Sequence, residues 1–308
     1  MEIALQFVLL ALGFVMLGKG ADWFVEGAAG IAMRFGIPQL VIGLTIVAIG
    51  TSAPEAAVSI AAAVKGNADI TIGNIVGSNI LNILVILGLA ASIVPIAVAR
   101  STVRIEIPFM IGVTALLFYQ GRDSSISLAD GGVLMVALAA YMMYLYTMAM
   151  KSNVDSDLEE PGLPLGRCLL GAVGGLALII AGSNVTVGAA TSIATYAGLS
   201  ERFIGLTIVA LGTSLPELFT SVAAARRGNA DIAIGNIVGS NIFNILFVVG
   251  LSSLIIDIPF ASAFNFDTYV ALGAAVLLWL CVLRTQRLQR WAGALMLMCY
   301  AAYLGYIL

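Results

Sequence analysis

The sequence has no histidine, only three cysteines and few charged residues. Without histidine, the catalytic triads that depend on it, HExxH zinc sites and haem attachment motifs are excluded. The cysteines are odd in number and far apart, which does not suit a disulfide framework or a zinc site, so we interpret them as packing residues. Charged residues make up 10% of the chain, against roughly 25% in a soluble domain, too few to cover a surface in water. The net charge of −3 does not suggest binding of nucleic acid.

Hydrophobic residues make up 61% of the chain, and its mean hydropathy is +1.06. Apolar stretches of about 20 residues recur, which is the length that a helix needs to cross a bilayer. The 33 glycines fit this interpretation, because small residues let membrane helices pack closely. We therefore predict an all-α, multi-pass protein of the cell (inner or plasma) membrane with ten transmembrane helices. The predicted spans are 3–35, 39–64, 70–98, 103–120, 128–150, 165–197, 203–225, 232–256, 268–283 and 288–308.

The chain contains an internal repeat with a constant offset of 162 residues. Residues 43–89 and 205–251 are identical at 34 of 47 positions, for example GLTIVAIGTSAPE against GLTIVALGTSLPE. Each copy holds five predicted spans, and because five is odd, the second copy enters the membrane inverted. The predicted domains are a first five-helix repeat (1–150), a short cytoplasmic linker (151–164) and a second, inverted five-helix repeat (165–308).

The basic residues predict the orientation of the chain. If the N-terminus lies outside the cell, ten basic residues fall on the inner side and three, Lys65, Arg122 and Arg202, on the outer side. Cytoplasmic connections carry an excess of Lys and Arg, so this count predicts that both termini are outside and the linker inside. The inner residues are Arg34, Arg100, Arg104, Lys151, Arg167, Arg226, Arg227, Arg284, Arg287 and Arg290.

The second predicted helix of each copy is interrupted by proline, at GTSAPE (50–55) and GTSLPE (212–217). Proline lacks an N–H and clashes with the carbonyl four residues before it, so Pro54 should free the carbonyl of Gly50, and Pro216 that of Gly212. We expect the neighbouring carbonyls of Ala48 and Ala210 to turn inward as well. Free carbonyls inside a membrane need a cavity or an ion to satisfy them, and interrupted helices in inverted repeats are typical of substrate sites at the midplane.

Two glutamates, Glu55 and Glu217, follow these prolines inside apolar spans, where a carboxylate normally marks a functional path. Hydroxyl residues continue the same helix face at four-residue spacing, and the third helix of each copy carries a matching polar stripe. All of these groups are oxygen donors, which hard cations such as calcium prefer. The stripes are Thr51, Glu55, Ser59 and Thr213, Glu217, Ser221, facing Asn74, Ser78, Asn82 and Asn236, Ser240, Asn244, with Asn79 and Asn241 adjacent.

Lys19, Asp22 and Glu26 are further charges in the first span. We expect Lys19 and Asp22 to pair locally, or these residues to lie near the membrane interface, rather than to bind substrate. Asp69 and Asp231 follow Gly-Asn-Ala at a helix start, where capping explains them.

The paired GTSxPE and GNxxGSN motifs resemble the two alpha-repeats of the sodium/calcium exchanger family, within the cation/calcium antiporter superfamily. The ten-span layout extends the resemblance over essentially the whole chain, and the minimal linker is similar to that of prokaryotic members. The resemblance implies an antiporter, not an enzyme, which exchanges sodium for calcium by alternating access. It implies no cofactor, and as partners only the lipid bilayer and small cations, without an obligatory protein partner.

The resemblance also implies roles for individual residues. Glu55 and Glu217 would be the carboxylates that sodium and calcium share. Hydroxyl, amide and carbonyl oxygens would complete the central and flanking ion sites. They belong to Thr51, Thr213, Ser52, Ser214, Ser78, Ser240, Asn82, Asn244, Ala48 and Ala210.

Asn244 departs from the family pattern, since well-known calcium-transporting members have an aspartate there. The site then has two formal negative charges, which one calcium, two sodium ions or two protons balance. A calcium/proton or other cation/proton exchanger is therefore an alternative, because carboxylates in a low-dielectric site take up protons readily. An uncoupled cation channel, and an intramembrane enzyme with the two glutamates as acid and base, are further alternatives. The inverted repeat speaks against the channel, and the lack of any nucleophile–histidine pair against the enzyme.

Overall fold

The computed structural model describes residues 2–66, 68–152, 163–198 and 210–307, which are almost entirely helical. The short strands in these residues are β1 (Ile96–Ala97), β2 (Ser125–Ile126), β3 (Ile258–Pro259) and β4 (Arg287–Leu288). The helices are α1 (Glu2–Phe35), α2 (Gln39–Thr51), α3 (Ala53–Val64), α4 (69–93), α5 (102–120), α6 (Leu128–Ser152), α7 (Leu165–Tyr196), α8 (Ala210–Thr213), α9 (Leu215–Arg226), α10 (Ala230–Ile255), α11 (Ala263–Leu283) and α12 (Arg290–Ile307).

Seven of the described helices are long and apolar enough to cross a membrane, and an eighth span results if the bent pair α2 and α3 counts as one. The seven are α1, α4, α5, α6, α7, α10 and α11. α4 and α10 are mostly buried, whereas α6 and the N-terminal half of α1 expose most of their apolar surface, as helices in contact with lipid do. The predicted class, an all-α membrane protein, is confirmed.

Some predicted boundaries differ from the structure. The predicted span 70–98 is too long, because α4 ends at Ile93 and Val94 is extended, with φ −137° and ψ 124°. Pro95 follows Val94 and disfavours the helical region for the residue before it. The span predicted to start at 288 begins at Arg290, since Arg287–Leu288 forms β4. The predicted stretch 203–209 and linker residues 153–162 lie outside the described residues.

The short strands join connections of the two halves at both ends of the bundle. β1 pairs antiparallel with β4, with Ile96 opposite Leu288, and β2 pairs antiparallel with β3, with Ser125 opposite Pro259. β1 precedes α5 and β2 follows it, so the two strand pairs lie at opposite ends of that helix. The repeat offset of 162 residues relates β1 to β3 and β2 to β4. Corresponding segments of the two copies therefore lie at opposite ends of the bundle.

α1 and α7 pack against each other along most of their lengths. Glycines at seven-residue spacing (Gly13, Gly20 and Gly27) bring the backbone of α1 close to that of α7. A Cβ at Gly175 of α7 would lie 2.5 Å from the backbone nitrogen of Phe24 and 2.7 Å from the carbonyl oxygen of Gly20. Only glycine fits at such a contact, where small residues permit close helix packing.

Arg227, just beyond the end of α9, connects this helix to α1. Its Nε lies 3.2 Å from Oδ1 of Asp22 and its Nη1 lies 3.1 Å from Oε2 of Glu26. Asp22 therefore pairs with a residue of the second copy rather than with Lys19, its expected local partner. Asp231 lies in the first turn of α10, but the cap position belongs to Asn229, so capping does not explain Asp231.

Candidate cation site

The interruptions predicted at GTSAPE and GTSLPE are present in both copies. α2 and α3 meet at Ser52, whose ψ of 3° leaves the helical region, and their axes bend by 51°. Ser214, between α8 and α9, has a ψ of 4°. Pro54 and Pro216 lie in the first turn after each break, where the missing N–H costs no hydrogen bond.

Side chains from other helices satisfy carbonyls at the breaks. The carbonyl of Gly212, which Pro216 was predicted to free, accepts a hydrogen bond of 2.7 Å from Oγ of Ser183 on α7. The carbonyl of Ala48 accepts a hydrogen bond of 3.4 Å from Oγ of Ser240 on α10. The contact with Ser183 was not predicted from the sequence, because Ala21 stands at the corresponding position of the first copy.

The two glutamates are fully buried, and each is held by the break of the other copy. Glu55 is 1% exposed and Glu217 is not exposed at all. Oγ of Ser52 donates to Oε1 of Glu217 at 3.1 Å, and Oγ of Ser214 donates to Oε1 of Glu55 at 3.4 Å. The structure thus brings together four of the predicted site residues.

Four asparagines link α4 to α10, whose segments Asn82–Leu87 and Asn244–Val249 pack against the helices that carry Glu217 and Glu55. The side-chain amides of Asn79 and Asn241 each donate to the other's backbone carbonyl at 3.1 Å. Nδ2 of Asn82 donates to Oδ1 of Asn241 at 2.9 Å, and Nδ2 of Asn244 donates to Oδ1 of Asn79 at 3.1 Å. These bonds fix the amide orientation of Asn82 and Asn244, so that Asn79 and Asn241 act as positioning residues.

The asparagine positions also coincide with irregular backbone. π-Helical turns run over Asn82–Leu87 in α4 and Asn244–Val249 in α10, so each turn begins at a predicted site residue. Such π turns inside α-helices are frequent at functional sites. The two turns are related by the repeat offset.

Asn74 and Asn236 hold the helices after each break. Nδ2 of Asn74 donates to Oγ of Ser59, and Nδ2 of Asn236 to Oγ of Ser221, both at 2.9 Å. Oγ1 of Thr51 donates to Oδ1 of Asn236 at 3.0 Å, which joins the first break to the second copy. The predicted polar stripes of the second and third helices therefore do face each other.

Four buried oxygens in this cluster have no hydrogen-bond partner in the described structure: Oε2 of Glu55, Oε2 of Glu217, Oδ1 of Asn82 and Oδ1 of Asn244. Buried polar atoms are nearly always paired, so four unpaired atoms in one cluster need an explanation. An ionised carboxylate and an amide oxygen only accept, which makes these atoms suitable ligands for a cation. Within the described residues no group of three His, Cys, Asp or Glu side chains could hold a metal ion.

The remaining predicted ligands lie around this cluster. Thr51, Ser52, Ser78, Ser214 and Ser240 are all at least 95% buried. Ala210 borders on residues 199–209, which the structure does not describe, and the roles of its carbonyl and of Ser78 in a flanking ion site stay predictions. Thr213 ends α8 directly before the second break.

Long apolar helices around a buried cluster of oxygens define the chain as a multi-pass membrane protein of the transporter class. The profile of the family described as "Sodium/calcium exchanger protein" matches residues 5–147 and 168–308. The putative antiporter CaxA of Alkalimonas amylolytica is 40% identical over 98% of both chains, and the sodium/calcium exchanger MaX1 of Methanosarcina acetivorans 34% identical over 98% of both. A structure of the sodium-calcium exchanger NCX_Mj superposes with a TM-score of 0.86 at 33% identity, covering 99% of this chain and 100% of that one.

The chain belongs to the sodium/calcium exchanger family. It is therefore a cation antiporter and not an enzyme. The family that its paired motifs indicated in the sequence is confirmed. Members of this family carry sodium and calcium as substrates.

Proposed function

We propose that the protein exchanges sodium for calcium at one site between the two helix breaks. Glu55 and Glu217 are the carboxylates that both ions share, and Asn82 and Asn244 contribute amide oxygens. Thr51, Ser52, Thr213 and Ser214 contribute oxygens at the breaks. Ser78 and Ser240, with the carbonyls of Ala48 and Ala210, form flanking sodium sites.

The four unpaired buried oxygens of Glu55, Glu217, Asn82 and Asn244 carry this proposal. They come from both copies in matching pairs, and they are acceptors without donors in a part of the fold from which water is largely excluded. Calcium takes six to eight oxygen ligands, and the neighbouring hydroxyl and carbonyl oxygens supply the rest. A cation would satisfy all four atoms at once.

We propose ten transmembrane helices for the complete architecture, arranged as two inverted repeats, 1–150 and 165–308, with both termini outside and linker 151–164 inside. The strand pairs β1–β4 and β2–β3 support the inversion, because segments related by the repeat offset lie at opposite ends of the bundle. In alternating access, α1 and α7 slide as a pair along the remaining helices and open the site to each side in turn. Their continuous close packing supports movement as one unit.

Radioactive calcium uptake into proteoliposomes tests the proposal. Vesicles loaded with sodium and diluted into sodium-free buffer should accumulate calcium, and the Glu55→Gln variant should lose this uptake. Asp257→Asn is the matched control, since Asp257 is an exposed carboxylate outside the site and its variant should retain uptake.

A second set of vesicles carries a proton gradient instead of a sodium gradient. Calcium uptake that only the proton gradient drives would show that protons, and not sodium, are the coupling ion. Calcium flux that needs neither gradient would instead indicate a channel. Full calcium uptake by the Glu55→Gln variant would contradict the proposed site.

A further inference from the structure

Glu106 is a third buried carboxylate, outside the proposed cation site. Among the side chains that the structure describes, only Glu55, Glu106 and Glu217 are buried carboxylates, and Glu106 is not exposed at all. It ends a π-helical turn, Thr102–Glu106, which opens α5. The second copy has Thr268 at the corresponding position, so the repeat does not account for Glu106.

One hydrogen bond holds this carboxyl group: the hydroxyl of Tyr144 on α6 donates to Oε1 of Glu106. The other oxygen, Oε2, is buried without a partner, and so are Oγ1 of Thr102 and the hydroxyl of Tyr141. Thr102 lies one turn before Glu106 on the same helix face. Tyr141 lies one turn before Tyr144 and stacks on Phe109 of α5, with ring centroids 5.1 Å apart. Three unpaired polar atoms therefore come from the helix turns around a single carboxyl group.

No cation balances the charge of Glu106 in the described structure. Both described ion pairs belong to Arg227, and Arg104, two residues before Glu106, is exposed. α6 contributes the hydroxyls of Tyr141 and Tyr144. α11 contacts this part of α5 through Trp279, whose indole N–H donates to the carbonyl of Val103. Along α11, the titratable group nearest to Trp279 is the thiol of Cys281. α10 packs on α5 with both Ala230–Phe243 and the turn Asn244–Val249, and Asp231, in the first turn of α10, is the one titratable residue of these two segments.

Protonation of the Glu106 carboxyl group accounts for this arrangement of unpaired polar atoms. A carboxylate without a counter-ion is costly inside a membrane, and protonation removes its charge. The neutral acid becomes a donor at Oε2, for which Thr102 and Tyr141 offer unpaired acceptor oxygens, while Oε1 keeps the bond from Tyr144. Calcium would need six to eight oxygens, whereas the cluster has the two carboxyl oxygens and nearby hydroxyls.

We propose that Glu106, framed by Thr102, Tyr141 and Tyr144, is a proton-binding site separate from the cation site. The proton exchanges with water on the side of Arg100 and Arg104, which is the cytoplasmic side in the proposed orientation. α5 and α6 both pack against the turn of α10 that begins at Asn244. A change in the protonation of Glu106 therefore affects the packing around α10, the helix that contributes Asn244 to the cation site.

Infrared difference spectroscopy of the purified protein tests this site without measuring transport, so its outcome is independent of the proposed sodium/calcium exchange. The E55Q/E217Q background removes the carboxyl groups of the cation site. At neutral pH this background should show the absorption of a protonated carboxyl group, which Glu106→Gln abolishes. Asp267→Asn is the matched control: Asp267 also accepts from a tyrosine, Tyr303 at 2.9 Å, but it is only partly buried, and its variant should leave the band unchanged.

Tyr144→Phe provides a second variant that keeps the carboxyl group. Losing the hydrogen bond to Oε1 should move the carbonyl band of Glu106 to higher wavenumber. Absence of any protonated carboxyl band at neutral pH would overturn the proposal. A band that disappears on addition of sodium at constant pH would also overturn it, since the site would then bind a metal ion.

Discussion

Asn244 determines the charge of the proposed cation site at the scale of single residues. An aspartate there would provide a third carboxylate, but the asparagine leaves only Glu55 and Glu217. Its amide nitrogen donates to Oδ1 of Asn79. Its own Oδ1 is buried and has no hydrogen-bond partner in the described structure. The site therefore gains an oxygen ligand at this position without gaining a charge. Two negative charges balance one calcium or two sodium ions equally, which makes an exchange of two sodium ions for one calcium neutral overall.

We predict that exchange by this protein is insensitive to membrane potential. Asn244→Asp should make exchange potential-sensitive, because a third negative charge favours a further cation. The variant also loses the donor to Asn79, at a cost of about 1 kcal/mol. Calcium uptake in proteoliposomes clamped with potassium and valinomycin measures both effects. Asn82→Asp, which adds the same charge in the other copy, separates the effect of charge from that of position. Net charge movement in the unmodified protein would contradict the prediction.

Ser183 shows why part of the site escaped prediction at the residue scale. The proline rule identified the freed carbonyl of Gly212 from sequence, because it depends on a spacing of four residues. The donor to that carbonyl comes from a helix 29 residues away, and the first copy offers no matching hydroxyl. Contacts of this kind depend on how helices rotate against each other, which local spacing does not determine.

The packing of α1 against α7 is the clearest feature at the scale of helices. The glycines of the interface lie opposite backbone atoms, so the two helices can approach more closely than larger side chains would permit. Gly175 is one of the tight positions, since its added Cβ would meet backbone atoms of both Phe24 and Gly20. Backbone atoms cannot move aside as a flexible side chain can. A methyl group at Gly175 must therefore separate the helices.

Gly175→Ala should lower the stability of the protein by about 1–3 kcal/mol, the usual cost of overpacking. It should also slow exchange if α1 and α7 move as a pair. Gly174→Ala is the matched control, because a Cβ at Gly174 meets no atom within 4 Å. Thermal unfolding in detergent and calcium uptake compare the two variants. Equal stability of both would show that the contact is not as close as the structure has it.

The fold of the whole molecule was predictable as far as it depends on hydrophobic length and on the repeat. Apolar stretches identified the long helices, and the motif GTSxPE located both breaks. The short strands were not predicted, because residues such as Arg287 and Leu288 form β4 only through pairing with β1. The pairing of Arg227 with Asp22 and Glu26 was missed for the same reason, since the partners are about 200 residues apart in the chain.

The inverted arrangement predicts that corresponding residues of the two copies face opposite sides of the membrane. Arg122 and Arg284 are such a pair, related by the repeat offset, and both are exposed. In a background without Cys168, Cys281 and Cys299, we expect a membrane-impermeant maleimide to label Arg122→Cys in intact cells. Arg284→Cys should react only after the membrane is permeabilised. Labelling of both from outside would mean that the copies are parallel, and the strand pairs at opposite ends of α5 would then need another explanation. The opposite pattern, with only Arg284→Cys labelled from outside, would keep the inverted repeat but place both termini in the cytoplasm, against the excess of basic residues predicted for that side.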